Sequence, residues 1–366
     1  MNIKDKNLYY IGGVVRDEIL GKPSFDTDLT YRGNAIDFAK TIPDIEILQI
    51  NEPFGTVRIK SGGKEFDIAS TRTETYPRKG HLPEVDKIGC SLKEDVMRRD
   101  FTINALAKST LTGEFIDYTN GLEDIKNKTL RILYDTSFID DPTRIVRRLK
   151  FAVRFGFDSD EHTRKLQNDY LDNINYDMSY KRLKKELVET FNLNKREAFE
   201  KFIKQRIYKL VAPVDFTLPE YDFENLIKMN LSNISQSNIW IIYVGLLPDI
   251  SNLPLTKAEN KIIEEFKKLK STIFNNDFEI CKAFNAAPIE SVIMYSTVNH
   301  KTAEKYLTKL KNIKLTLNGK DLQNLGIAPN AKYRECFDYI LKTKIPNPQM
   351  TKADELKLAK EFFNLS

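Results

Sequence analysis

What most limits the fold of this chain is a change of period along it. Between residues 7 and 70, short runs rich in β-branched and aromatic side chains ("LYYIGG", "DTDLTY", "IEILQI", "TVRIK", "EFDIAS") read as strands. Glycine breaks and two stretches of helical spacing, "VVRDEILG" and "NAIDFAKTI", separate them. From about residue 138 onward apolar residues recur every three or four positions, in "DPTRIVRRLKFAVRF", "EHTRKLQNDYLDNI", "YKRLKKELVETFN", "REAFEKFIKQRIYKLV", "KAENKIIEEFKKLKSTIF" and "TAEKYLTKLKNI", with charged outer faces. The pattern predicts an α+β chain, a mixed sheet domain followed by an all-helical extension. Pro213, Pro219, Pro248 and Pro254 interrupt the helical pattern and mark candidate turns or joints.

At 366 residues and 41% apolar, the chain can bury a sizeable core divided over two or more units. No run of about 18 apolar residues occurs, and "MNIKDKNLYYIGG" enters a strand-like segment without the layout of a signal peptide. The expectation is a soluble cytoplasmic protein with no membrane partner. Cys90, Cys281 and Cys336 lie far apart and match neither a zinc-ligand nor a disulfide spacing. A net charge of +5, from 57 basic and 52 acidic residues, permits a polyanionic partner without requiring one.

The chemistry concentrates in "YYIGGVVRDEILGKPSFDTDLTYRGNA". Asp26 and Asp28 are spaced i, i+2, which on a strand sets two carboxylates on one face, able to grip a divalent ion together. The same letters also suit a polar strand end. Ahead of them, Gly12-Gly13 follows the apolar "YYI" and opens "VVRDEIL", the layout of a strand, a tight turn and a helix start where backbone N–H groups meet phosphate oxygens. Arg16 would add a cation there; the alternative is an ordinary turn with a surface Arg16–Asp17 pair. Asp67, in the alternating run "KEFDIAS", is either a third metal-facing carboxylate or an exposed strand residue. His81, His162 and His300 all stand away from the acidic pair in sequence, so a histidine base is the less economical choice.

Six segments in order resemble the class II tRNA nucleotidyltransferase and poly(A) polymerase family: "IGGVVRDEILGKPSFDTDL", "RRDFTINALA", "IDYTNGLEDI", "IDDPTRIVRRLKFAVRFGF", "SYKRLKKEL" and "LNGKDLQNLGIAP". The resemblance implies a polymerase β-like nucleotidyltransferase head over residues 1–137, a helical neck with base recognition over 138–190, a helical body over 191–270 and a tRNA-binding helical tail over 271–366. It implies that Asp26 and Asp28 hold catalytic Mg2+, with Asp67 as the third acidic residue. Gly12, Gly13, Arg16, Arg98, Arg99, Asp100 and Asn104 would bind the nucleotide, as would Asp141, Arg144 and Arg147 on the recognition helix. "TRTETYPRKGHLPEV" resembles a subgroup containing both complete and partial CCA-adding members. The implied activity is template-independent addition of CMP and AMP, from CTP and ATP, to the 3′ end of tRNA. Partial addition, poly(A) synthesis, and a non-catalytic RNA-binding role on the same scaffold are the alternatives.

Residue chemistry bears on these roles independently. Asp141 only accepts hydrogen bonds and Arg144, three residues on, only donates. Cytosine and adenine both offer an amino donor beside a ring-nitrogen acceptor, whereas uracil and guanine offer the reverse order, so a fixed Asp and Arg can admit C and A and refuse U and G. Against this, Pro142 suits a first helical position, which would make Asp141 an N-cap. In "RRDFTINALA", Arg98 and Arg99 suit triphosphate or sugar oxygens, Asp100 suits a ribose hydroxyl or those arginines, and Asn104 falls on the same face of an expected helix start. The other reading makes Asp100 or Thr102 a cap and leaves the arginines solvated. In "DYTNGLED", Gly121 suits a positive φ, in either an adjustable element or a surface turn. Gly319 and Gly326 with nearby helix-start N–H groups offer a phosphate grip in the tail.

Overall fold

The computed structural model describes residues 3–24, 27–330 and 332–365. Its residues group into two units, Met1–Phe216 with Asp249–Pro254, and Thr217–Pro248 with Leu255–Ser366.

The first unit begins with the strands β1 (Leu8–Ile11), β2 (Asp28–Tyr31), β3 (Glu46–Asn51), β4 (Thr56–Ser61) and β5 (Lys64–Ser70). β6 (Arg72–Thr75) and β7 (Glu84–Ile88) pair with each other in a separate ribbon, and β8 (Ala107–Ser109) and β9 (Phe115–Ile116) complete the main sheet. That sheet has seven strands in the order β3-β4-β5-β2-β1-β8-β9, mixed because β2 and β5 run parallel while the other neighbours are antiparallel. Alternation along the strands decides its two faces. Leu8, Leu29, Val57, Ile59, Phe66 and Ile68 are all buried on one side, each contributing about 1.5–3 kcal/mol on burial. The residues between them, Asp28, Arg58 and Asp67, emerge on the other.

Helices α1 (Gly13–Ile19), α2 (Ala35–Lys40) and α3 (Leu92–Met97) join these strands. α2 starts at Asn34, whose side chain accepts from the amides of Ile36 and Asp37, and it buries Ala35, Ile36 and Ala39 in the same core. A capping box between Ser91 and Glu94 opens α3. Leu92 and Val96 of that helix then pack with Ile11, Ala105 and Ala107.

Two local expectations are corrected here. "RRDFTINALA" does not begin a helix: Phe101 is extended and bridges to Ile132, and only a 3-10 turn, Thr102–Asn104, precedes β8. Phe101 and Ile103 are fully buried, so packing rather than propensity sets this backbone. In "DYTNGLED" the positive φ belongs to Asn120, at 61°. Gly121 starts α4 (Gly121–Lys126) and is needed for a different reason, because a Cβ there would stand 2.3 Å from the Thr102 carbonyl oxygen. The segment is half at the surface, with Tyr118 and Leu122 exposed. Gly121 and Asp124 are buried, and Asp117 accepts the amides of Thr119, Gly121 and Leu122.

Beyond α4, β10 (Thr129–Leu130) and β11 (Asp158–Ser159) form a short parallel pair around α5 (Ser137–Asp140) and α6 (Thr143–Phe155), followed by α7 (Glu161–Asp172), α8 (Tyr180–Phe191) and α9 (Arg196–Lys204). The periodic run "REAFEKFIKQRIYKLV" is not one helix. It breaks at Arg206, which takes φ 59°, and continues as a 3-10 turn over Ile207–Leu210. The second unit is helical: α10 (Glu224–Met229), α11 (Ile239–Val244), α12 (Lys257–Lys270), α13 (Asp277–Ala286), α14 (Ile289–Tyr295), α15 (His300–Thr308), α16 (Gly319–Asn324), α17 (Lys332–Lys344) and α18 (Lys352–Phe362). No helix among the described residues is long and apolar enough to cross a membrane.

Candidate active site

The sheet places three charged residues abreast. Asp28 on β2 is the register partner of Asp67 on β5, and Asp67 is the partner of Arg58 on β4. Paired residues on neighbouring strands point to one face, so the two carboxylates stand side by side although 39 positions separate them. Asp26 lies outside the described residues. Arg58 donates to both oxygens of Asp67, at 2.9 and 3.0 Å. Both partners are nearly half exposed, so the pair is worth only about 0–1 kcal/mol, and a divalent cation competes with Arg58 at little cost. Among the described residues no group of three acidic, histidine or cysteine side chains gathers as a metal cluster. The two carboxylates supply hard oxygen donors of the kind Mg2+ takes, so the donor set suits that ion.

Next to them the chain turns at Gly12, with φ 70° and ψ −120°, between β1 and α1. The turn is a close approach as well as a backbone requirement, since a Cβ on Gly12 would lie 2.9 Å from Arg99 Nη1. Arg16, one turn into α1, is buried rather than solvated. It donates to Asp17 and Asn104 and stacks on Phe151 and Phe155, 5.1 and 4.6 Å from the ring centres. Burial lowers its pKa more than Asp17 raises it.

Arg98 and Arg99 are not solvated side chains. Both reach Asp95 on α3, with Arg98 Nη2 2.9 Å from Oδ1 and Arg99 Nη2 3.3 Å from Oδ2. Burial opposes ionisation of Asp95, but Arg99 and Arg98 outweigh it, and its carboxyl sits below the usual range. Asp100 does not fix those two arginines. It accepts from the Phe101 amide, from Asn104 Nδ2 and from Arg147 Nε at 2.8, 2.9 and 2.8 Å. Against the burial that would raise it, Arg147 and Asn104 hold this carboxyl far below the usual carboxylate range. Arg147 also donates to Glu186 on α8 at 3.0 Å. Burial would lower the Arg147 pKa, but Asp100 and Glu186 raise it further than burial lowers it.

Asp141 serves two protein partners. Oδ1 accepts from the Thr143 amide and hydroxyl at the start of α6, as an N-cap would, and Oδ2 accepts from Arg182 on α8. Arg144 Nε is 4.0 Å from Asp141. Its two terminal nitrogens already donate to the hydroxyls of Tyr134, Ser137 and Tyr76 and to the carbonyls of Arg98 and Arg99. Burial pushes the Tyr76 hydroxyl up to about 12, which keeps it neutral beside this cation. Arg144 can therefore turn a terminal N–H toward a ligand only by giving up one of these acceptors.

These residues share one cavity of about 610 Å³. It is lined by Gly12, Gly13, Arg16, Asp28, Arg98 and Arg99, and equally by Asp100, Asn104, Asp141, Arg144 and Arg147. Asp67 lines an adjoining cavity that shares Asp28, Arg98 and Arg99 with the first. Six arginines and Lys185 face five carboxylates in the larger cavity, a net positive wall suited to a polyanion. No histidine lines it. Sequence reasoning missed Asp95, Glu74, Arg182 and Glu186. Only Asp95 carries a local signal, standing three and four residues before the arginine pair. In the tail, two amides at the start of α16 are already taken, because Asn318 accepts the Lys320 amide and Asp321 accepts the Asn318 amide. Those N–H groups are not open to a phosphate.

Two carboxylates abreast on a mixed sheet, beside an arginine-walled cavity reached by a glycine turn, define a nucleotide-handling head. Residues 8–131 match the family described as the poly A polymerase head domain, and the chain as a whole is similar to tRNA nucleotidyltransferases. Over 359 residues it is 32% identical to an A-adding tRNA nucleotidyltransferase of Aquifex aeolicus, covering 84% of this chain but 41% of that one, so it spans less than half of that relative's length. A second A-adding tRNA nucleotidyltransferase, of Halalkalibacterium halodurans, is 28% identical over 385 residues, covering 98% of this chain and 89% of the relative. A solved structure described as apo form II of a CCA-adding enzyme shares the fold, with a TM-score of 0.77 over 96% of this chain and 90% of the other at 23% identity.

Proposed function

We propose that the chain is a tRNA nucleotidyltransferase that extends the 3′ end of tRNA without a nucleic-acid template, transferring CMP from CTP and then AMP from ATP. The observation that carries this is the pairing of Asp28 with Asp67 at one edge of an arginine-lined cavity that Asp141 and Arg144 also enter. In this reading residues 1–137 form the catalytic head, 138–190 a neck that reads the base, 191–270 a helical body and 271–366 a tail that binds tRNA.

Asp28 and Asp67, with Asp26, would hold Mg2+, which when bound neutralises phosphate charge and lowers the pKa of a hydroxyl. The turn at Gly12 and Gly13 lets phosphate oxygens approach the backbone, and Arg99 leans over the same turn. Asp141 and Arg144 select the base. An amino group meets the carboxylate, and a ring nitrogen meets the guanidinium once Arg144 releases a protein acceptor. Uracil or guanine would set acceptor against acceptor and leave buried groups unpaired, at about 1–3 kcal/mol each. Glu186 and Asp100 hold Arg147 between α6 and α8, which fixes the wall next to the base.

A second reading, addition of the final A alone, is favoured by the names of the Aquifex and Halalkalibacterium relatives. Labelled CTP and ATP, offered singly and together to tRNA transcripts lacking CCA or ending in CC, separate the two. Ordered CMP and AMP incorporation that stops at CCA marks the complete enzyme. AMP addition only to the CC-ended transcript marks the A-adding one, and long A tracts mark a poly(A) polymerase. Asp28→Ala is expected to abolish transfer while tRNA retention on filters stays within about threefold, since a carboxylate adds nothing to phosphate attraction. Undiminished transfer by that variant would remove the metal-site reading.

A further inference from the structure

The two arginines that open "RRDFTINALA" stand in different states. Arg98 is fully engaged. Nε and Nη2 donate to Asp95 Oδ1 at 3.1 and 2.9 Å, Nη1 lies 3.0 Å from Glu74, and Nε also reaches the Arg72 carbonyl. Glu74 is tied in turn to Arg72. Arg99 is held by its side chain at one corner only, where Nη2 lies 3.3 Å from Asp95 Oδ2. Its Nε is the one buried side-chain nitrogen or oxygen among the described residues without a hydrogen-bond partner. A buried N–H with no acceptor is costly to keep. Its retention is explained when a ligand oxygen completes it, and Arg99 lines both the large cavity and the one that holds Asp67.

Asp95 lines neither cavity. It is 0% exposed, near the end of α3, and also accepts from the Arg72 amide. Its spacing of three and four residues from the two arginines sets all three on neighbouring faces of one turn.

We propose that Asp95 is a positioning residue for nucleotide binding: by holding Arg98 on one oxygen and a single corner of Arg99 on the other, it makes Arg98 a strut and presents Arg99 to the phosphates. The inference rests on the reading of this cavity as a nucleoside triphosphate site. Arg98 lines the same two cavities, but all three of its nitrogens are held by Asp95, Glu74 and the Arg72 carbonyl.

The test is a double-mutant cycle of Asp95→Asn and Arg99→Ala in the full chain, assayed for AMP transfer from ATP to a tRNA transcript ending in CC. Asp95→Asn is expected to raise KM for ATP about tenfold, the loss of one well-placed charge-assisted hydrogen bond, with kcat and KM for tRNA within about threefold. The double variant should be no worse than Arg99→Ala alone by more than about twofold, because Asp95 acts through Arg99. A merely structural Asp95 would give effects that multiply, and that result overturns the proposal, as does an unchanged KM for ATP in Asp95→Asn. If Arg99→Ala itself leaves KM for ATP unchanged, the triphosphate reading of the cavity fails and takes the role of Asp95 with it. Asp95→Ser, whose hydroxyl can still accept from the Arg72 amide, carries the same cycle should the asparagine variant not fold.

Discussion

Replacing Gly12 by alanine separates what the backbone needs at this turn from what the nucleotide needs. With φ 70° and ψ −120°, Gly12 holds a conformation that L residues avoid, at a cost of about 1–3 kcal/mol. The new methyl would also meet Arg99 Nη1 at 2.9 Å, so the guanidinium must retreat by about 0.5 Å to reach ordinary contact. Because Arg99 is anchored by its side chain at one corner, that retreat is cheap for the fold but misaligns the cation over the turn. Misplacement on this scale reduces rate by about 10- to 100-fold. Urea unfolding should therefore show a loss of about 1–3 kcal/mol, and ATP-dependent AMP transfer should show a fall in kcat/KM well beyond what the unfolded fraction explains. Gly13→Ala is the contrast in stability. Its φ is ordinary and the methyl would stand 3.6 Å from Arg16, so its unfolding free energy should change by no more than about 1 kcal/mol. A Gly12→Ala chain with the midpoint and the ATP kinetics of the unaltered protein would refute the reasoning.

Asp100→Asn should destabilise the protein by about 1–3 kcal/mol, discounted because Arg147 is one-third exposed and keeps Glu186. The folded carboxyl titrates far below its usual value near 3.8. The difference between the unaltered chain and Asp100→Asn should thus be constant from about pH 8 to about pH 5 and shrink as pH falls below about 4, which unfolding midpoints against pH will show. In the second unit, Lys344→Met strands Glu355, which is 0% exposed and otherwise held by the Thr316 and Leu317 amides and the Thr316 hydroxyl. A loss of about 3 kcal/mol is expected by denaturation, partly recovered on adding Glu355→Gln, since an uncompensated ion costs more than a neutral amide.

β1, β2, β4 and β5 were legible because each buries part of its length and wets the rest, whereas β3, exposed throughout, was legible only from its β-branched composition. β6 and β7 were not. They pair only with each other, and neither has a buried face to impose a pattern. The break in the run after α9 escaped for the opposite reason. Phe199, Phe202, Ile203, Ile207 and Leu210 are all buried, so apolar spacing continues across a bend whose left-handed residue is an arginine, not a glycine. In the site, spacing alone put Asp28 with Asp26, and Asp141 near Arg144. It could not show that Asp28 would face Asp67, that Arg182 would take the second oxygen of Asp141, or that Asp100 would bond Arg147 rather than Arg99. Those partners arrive from other strands and helices, and their identity is a property of packing.

The parallel pairing of β2 with β5 has a mechanical consequence. A side-chain period of two means that sliding β5 by a single residue would carry Asp67 through to the underside of the sheet and lift Phe66 or Ile68 into water. The greasy pair thus works as an alignment gauge for the acidic one. Substitutions at Phe66 or Ile68, which are buried in the core beneath the acidic pair, would blunt the chemistry by loosening the ruler against which its two halves are set.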